Sequence, residues 1–202
     1  TLPAAVAVAQ RRPNTKVIYD SHEFFPFQFT DPNIERYWSA IEEQHIRRTD
    51  GIITVNASIA GELAAHYGVR EPSVVYNSYG IAGSAAPVDA RQFAEHFGAS
   101  GQAFTVLFQG HFDRDRNLEN LILAFARQRD SARLFLLGEG PNLSELQQLR
   151  ARERITNVFF GPWVAQQNLL AYTAHADLGI IPYLGGGCLN TRLCTPNKLF
   201  EF

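Results

Sequence analysis

Methionine is absent from this sequence, even at position 1, and that absence raises the expectation that both ends are cut. Cysteine is scarce: Cys188 and Cys194 are the only two. They lie close together near the end, without C-x-x-C spacing and without a His or Cys pair to complete a zinc set; a disulfide across this short loop is the alternative, and ordinary free thiols are the favoured reading. Neither sign of charge is in excess, with 18 Lys and Arg against 20 Asp and Glu and a formal net charge of -2. That excludes a broad electrostatic footprint for nucleic acid or anionic lipid. No apolar run approaches a membrane span. The opening Thr1–Ala9 is mildly apolar, yet it holds Pro3 and lacks a charged start, which argues against a secretory signal peptide. What remains is an ordinary soluble composition, 46% hydrophobic and 19% charged over 202 residues, enough for one large domain or two small ones.

Strand and helix patterns alternate along the chain. Lys16–Asp20 is a short apolar strand ending in an acid. Asn33–Thr49 reads as a helix, with Ile34, Tyr37, Trp38 and Ile41 at helical spacing and Glu43 and Arg47 able to pair on the outer face. Gly51–Val55 is a buried strand, Asn56 caps a helix lined by Ile59, Leu63 and Tyr67, and Ser73–Tyr76 is a third strand. Asn77–Pro87 is small, polar and rich in glycine, a linker or hinge, and a short helix follows at Val88–Phe97. The second half repeats the alternation. Strands are expected at Phe104–Gln109, Arg133–Leu137, Val158–Phe160 and Asp177–Pro182. The helices between them hold Leu118, Leu121, Ile122 and Phe125, then Asn142–Glu153 with Leu143, Leu146 and Leu149 inward, then Ala165–His175. Continuous apolar strands alternating with helices imply parallel sheets covered on both faces, and the linker argues for two sheets. Ligands of such sheets bind beyond the carboxyl ends of the strands.

The residues that follow each strand are therefore the candidates. Asp20-Ser21-His22-Glu23 crowds the first strand end with polar groups. His22 can donate to a phosphate or a sugar hydroxyl or move a proton, or else pack beside the phenylalanines that follow. Gly110 through Asn117 places Arg114 and Arg116 just before a helix, an arrangement suited to an anion or, alternatively, a solvated turn paired with Asp113 and Asp115. Gly138-Glu139-Gly140 is half of a G-x-G-x-x-G fingerprint, but Leu143 stands where the last glycine belongs, so no nicotinamide or flavin site is assigned. Trp163 beside the Gly161-Pro162 turn can flank a planar base or plug the core. Gly185-Gly186-Gly187 is costly in entropy, which makes sense where backbone N–H groups must reach a ligand; the alternative is a flexible surface loop. Pro196–Phe202 reads as the start of a helix that presents Lys198 and Glu201.

Taken together, "YDSHE", "TDGIITVNASIAGELAAHYGV", "VVYNSYG", "LFQGHFDRDRNLENLILAFA", "LFLLGEGP", "VFFGPWVAQQNLLAYTAHADLGIIPY" and "PNKLFEF" resemble, in order, successive blocks of the family 4 glycosyltransferases. The resemblance implies an α/β fold of GT-B architecture, with two Rossmann-like parallel-sheet domains, both incomplete here. Residues 1–80 would be the C-terminal part of an acceptor-side domain, 81–100 a linker and short helix, and 101–202 the N-terminal part of a nucleotide-sugar-binding domain. It implies transfer of a sugar from a nucleotide-sugar donor to a hydroxyl acceptor, lipid-linked or saccharide, with retention, in glycan or polysaccharide assembly. No cofactor or metal is implied, and no nucleic acid. The setting implied is cytoplasmic, without a transmembrane segment and compatible with peripheral contact at the inner membrane face. The fragment alone is expected to be inactive.

By position, Arg116 matches a basic residue that holds the donor diphosphate, with Gly110 and Arg114 beside it. Glu201 matches the acid on the donor ribose, with Lys198 on the same turn. His22 matches a polar, catalytic position near the donor sugar. Gly161, Trp163 and Val164 match the turn near the base, and Gly186, Gly187 and Asn190 the loop near the sugar and phosphates. Two positions depart from the family: His111 stands where many members have a basic residue, and Leu193 where the first acid of a Glu-x7-Glu pair belongs, which makes Asn190 the candidate sugar contact. A nucleotide-sugar epimerase of the same fold and an inactive binding protein are the alternatives.

Overall fold

The structure, a computed structural model, describes residues 2–12, 14–78, 86–99, 104–128, 131–184 and 188–202. The chain divides into two compact units, residues 1–78 with 185–196, and residues 79–184 with 197–202. The Gly-rich stretch expected to link them lies largely outside the described residues.

The first unit is a parallel three-stranded sheet in the order β1 (Ile18–Ser21), β2 (Gly51–Thr54), β3 (Ser73–Val74). Helices α1 (Leu2–Arg11), α2 (Pro32–Ile46) and α3 (Ala57–Tyr67) accompany it. The second and third begin or end on local signals. Asp31 accepts from the Asn33 N–H and Pro32 follows, which starts α2; Asn56 accepts from the Ile59 N–H, which starts α3; Gly68 in the left-handed region ends it. Ile59, Leu63 and Tyr67 are fully buried, as the spacing predicts. In α2 the buried face differs from the expected one. Ile34 and Tyr37 are exposed, and Glu42 and Ile46 are the buried residues.

A carboxylate can sit inside because two hydroxyls meet it. Tyr19 donates to Glu42 Oε1 at 2.5 Å and Tyr67 to Oε2 at 2.7 Å. Burial raises the Glu42 pKa, opposed by the two tyrosine hydrogen bonds, and burial beside Glu42 raises both phenols too. A carboxyl whose folded-state pKa is raised favours the fold most when protonated. Its contribution is full below the unfolded pKa and declines as pH rises through the folded one. In urea denaturation from about pH 4 to about pH 8, the stability of Glu42→Gln relative to the unaltered protein should therefore increase with pH. A difference that stays flat across that range would contradict the assignment.

The expected domain limits placed everything from 101 onward in the second unit. The structure instead returns residues 188–196 to the first. Leu189 and Leu193, on a short helix at Leu189–Leu193, pack against its core, and the Asn56 amide donates to the Leu193 carbonyl and Thr195 hydroxyl. Cys188 and Cys194, on either side of this helix, are free thiols.

The second unit is a parallel sheet of β4 (Phe104–Gln109), β5 (Ala132–Leu137), β6 (Val158–Gly161) and β7 (Leu178–Gly179) in the order β6-β5-β4-β7. Side chains alternate across it. Val106, Phe108, Leu134 and Leu136 join one core with α5 (Leu118–Phe125) and α6 (Leu143–Arg152). Leu107, Phe135 and Leu137 join the other, beneath α4 (Ala90–Phe97) and α7 (Gln166–Thr173). Asp89 and Gln92 form a reciprocal capping box that starts α4.

Candidate functional site

At the carboxyl ends of β4 and β5 the second unit holds a cavity of about 200 Å³. Its floor is backbone. Gly110 and Gly138 both have φ in the left-handed range, 126° and 145°, and a Cβ on Gly138 would lie 2.0 Å from the Gly110 carbonyl oxygen. Gly140 has φ 157° and presses on the Phe112 backbone in the same way. The half fingerprint noted in the sequence is thus explained by strand ends that cross at van der Waals distance.

One wall is Trp163 and Val164, the other Asn197, Lys198 and Glu201. Lys198 and Glu201 lie on a single helical turn, Lys198–Glu201. Glu201 is held from below: Gln109 Nε2 donates to its Oε2 at 2.7 Å, and Gln166 Nε2 lies 3.4 Å from its Oε1. Gln109 is 1% exposed, and its Oε1 accepts from the Thr173 hydroxyl at 2.7 Å. Lys198 Nζ donates to the Tyr183 hydroxyl at 3.3 Å. The Arg116 guanidinium stands 4.6 Å above the same tyrosine ring. Asn117 arranges this: it takes the left-handed conformation after the 3-10 turn Arg114–Arg116, and its amide donates to the Pro182 carbonyl just before Tyr183. Arg116 also lies 3.5 Å from Asp115.

Among the sequence candidates, Gly110, Trp163, Val164, Lys198 and Glu201 line one cavity, and Arg116 joins it through Tyr183. Others go elsewhere. Arg114 makes a two-pronged pair with Glu145 on α6 at 2.7 and 3.0 Å and does not join the cavity. Gly161 is buried, and a Cβ there would meet the Phe97 ring at 2.6 Å, so its small size serves the packing of α4. Asn190 is buried in the first unit, where its Oδ1 accepts from the Phe24 N–H at 2.9 Å. Gly186 and Gly187 lie outside the described residues.

His22 is exposed and lines a separate cavity of about 370 Å³ in the first unit, with Phe25, Trp38 and Glu42 among its walls. Its Nε2 is 3.1 Å from Asp20 Oδ2. Sequence reasoning missed Gln109, Thr173, Gln166 and Tyr183. For Gln109 a signal existed: it is the one strongly polar side chain closing the apolar run Phe104–Phe108.

The family model described as "Glycosyl transferases group 1" matches residues 89–190, and that described as "Glycosyltransferase Family 4" matches residues 1–79. Among curated proteins compared by sequence, none matches the chain. Among solved structures, Anabaena HepE in complex with UDP and glucose superposes with a TM-score of 0.64 at 20% identity, over 89% of this chain and 50% of that one. S. aureus TarM, crystallised with UDP, fondaparinux and alpha-GlcNAc-glycerol, gives 0.58 at 14% identity, over 83% and 32%. WaaG, a glycosyltransferase involved in lipopolysaccharide biosynthesis, gives 0.58 at 15%, over 88% and 55%. Identities this low speak to fold alone: two Rossmann-like α/β lobes consistent with the GT-B fold. The chain spans about half the length of HepE and WaaG and about a third of TarM. No helix among the described residues is long and apolar enough to cross a membrane.

Proposed function

The chain belongs to the glycosyl transferases group 1, and from this we propose that it serves a retaining transferase that moves a sugar from a nucleotide-sugar donor to a hydroxyl acceptor in glycan or polysaccharide assembly. One observation carries the reading: the strand-end cavity sets a fixed carboxylate, Glu201, on the same helical turn as a cation, Lys198, beside an exposed indole. Glu201 accepts hydrogen bonds from the donor ribose. Trp163 and Val164 flank the base. Arg116 and Lys198, gathered about Tyr183, hold the diphosphate. As the bond from the anomeric carbon to the diphosphate breaks, negative charge grows on the phosphate oxygens, and these cations stabilise it. His22 is assigned to the donor sugar or its phosphates.

Epimerisation of a nucleotide sugar would call for several carboxylates and histidines around the sugar. Among the described residues, this cavity is lined by one carboxylate, Glu201, and by no histidine.

Because the chain spans only about half the length of HepE, donor binding is a better test than turnover. Calorimetric titration with UDP, ADP and GDP should show binding of at least one diphosphate, tighter than its monophosphate. Arg114→Ala should leave that affinity within about twofold, since its guanidinium is spent on an exposed pair with Glu145. Absence of binding by all three nucleotides would remove the reading.

A further inference from the structure

Glu201 sits on one turn of helix, too short to hold a carboxylate by itself. Gln109 is the opposite kind of residue. It closes a six-residue strand, is paired in register with Leu137 of β5, and is almost wholly buried. Its amide can face only one way. An ionised carboxylate only accepts, so the atom 2.7 Å from Glu201 Oε2 must be the N–H end. The carbonyl end then accepts from Thr173, whose hydroxyl is also 3.0 Å from the Leu169 carbonyl on the same helix. The chain of contacts runs from α7 through the end of β4 to one oxygen of Glu201. The other oxygen has the longer contact to Gln166, at 3.4 Å.

We propose that Gln109 is a positioning residue that fixes the plane of the Glu201 carboxylate and so sets how strongly the site prefers a ribose over a deoxyribose donor. The inference rests on the reading that Glu201 meets the ribose. Two neighbouring sugar hydroxyls can both donate to one carboxylate only when its plane is oriented toward them. A carboxylate free to rotate pays orientational entropy for each such complex. Gln109 lines the floor of the cavity at 1% exposure and removes that freedom before the ligand arrives, acting through Glu201.

The test compares UDP, ADP and GDP, each with its deoxyribose counterpart, by calorimetry on the unaltered protein, Gln109→Leu, Gln109→Glu and Glu201→Ala. The unaltered protein should prefer the ribose form of the diphosphate it binds, and Glu201→Ala should lose that preference. Gln109→Leu should lower the preference about tenfold, equivalent to about 1.4 kcal/mol, by weakening the ribose form while the deoxy form stays within about twofold. Gln109→Glu keeps the shape and puts a second carboxyl against Glu201. The two then share a proton at low pH and repel when both ionise. The ribose preference of that variant should therefore hold at low pH and fall as pH rises.

If Glu201→Ala abolishes the preference and Gln109→Leu retains it, the positioning role is overturned while the ribose assignment stands. Equal weakening of both sugar forms by Gln109→Leu would mark a merely structural residue and overturn the proposal. Absence of any preference in the unaltered protein would overturn the ribose assignment and the proposal with it.

Discussion

Gly138→Ala is expected to destabilise the second unit by about 3 kcal/mol or more and to abolish nucleotide binding with it. Two separate penalties fall on this one methyl. The backbone at Gly138 has φ 145°, a conformation that L side chains rarely adopt. The new Cβ would also lie 2.0 Å from the Gly110 carbonyl oxygen and 3.0 Å from its carbon. Those atoms are backbone and cannot rotate aside. Separating the two strand ends would stretch the hydrogen bond from the Gly110 N–H to the Leu137 carbonyl, 2.9 Å long, and lift the floor of the cavity. Gly98→Ala provides the comparison. Gly98 has φ 62°, but nothing lies within 4 Å of a Cβ there, so only the backbone penalty applies, about 1–2 kcal/mol. Denaturant unfolding of both variants separates the two effects. Equal losses would show that the crossing of Gly138 over Gly110 contributes nothing.

Arg116→Ala should weaken binding of a nucleoside diphosphate by about 10- to 100-fold, the range for a charge-assisted hydrogen bond to a phosphate. The loss should shrink at high salt, because the site is open to solvent. Arg116→Lys should recover only part of it. A guanidinium can stand over the Tyr183 ring, as here at 4.6 Å, and still present N–H groups at its edge, whereas an ammonium is a point charge that cannot do both. Unchanged affinity in Arg116→Ala would mean that the diphosphate sits elsewhere, and Lys198 would be left as the only cation lining the described cavity.

The strands and helices were largely readable because their signals are local. Asn56 and Asp89 cap helices by reaching the N–H groups three residues on, and the Leu118, Leu121, Ile122 and Phe125 stripe is buried along its length. The face of α2 was misread because Glu42 is buried by partners outside its own helix, Tyr19 on β1 and Tyr67 on α3, which no periodicity can show. The same limit applied to the site. Gly110, Trp163, Lys198 and Glu201 could be found because they lie just beyond a strand end or on a helical turn that Pro196 announces. Tyr183 and Thr173 could not, since their roles come from who stands over them. Arg114 and Arg116 are two residues apart and alike in sequence. Which of them turns toward Tyr183 and which toward Glu145 depends on the left-handed residue Asn117 and on the neighbouring helix α6.

The return of residues 188–196 to the first unit has a consequence for modularity. The second unit is not one contiguous stretch: it runs from 79 to 184 and resumes at 197. A graft or truncation that takes it as a single cassette leaves behind Lys198 and Glu201, and with them a whole wall of the cavity. A contiguous segment that carries both walls of the cavity therefore also carries Leu189 and Leu193, which pack in a different core. The cavity and the hydrophobic interior of the other unit are thus tied to one stretch of chain, residues 188–202, although among the described residues none of that interior lines the cavity.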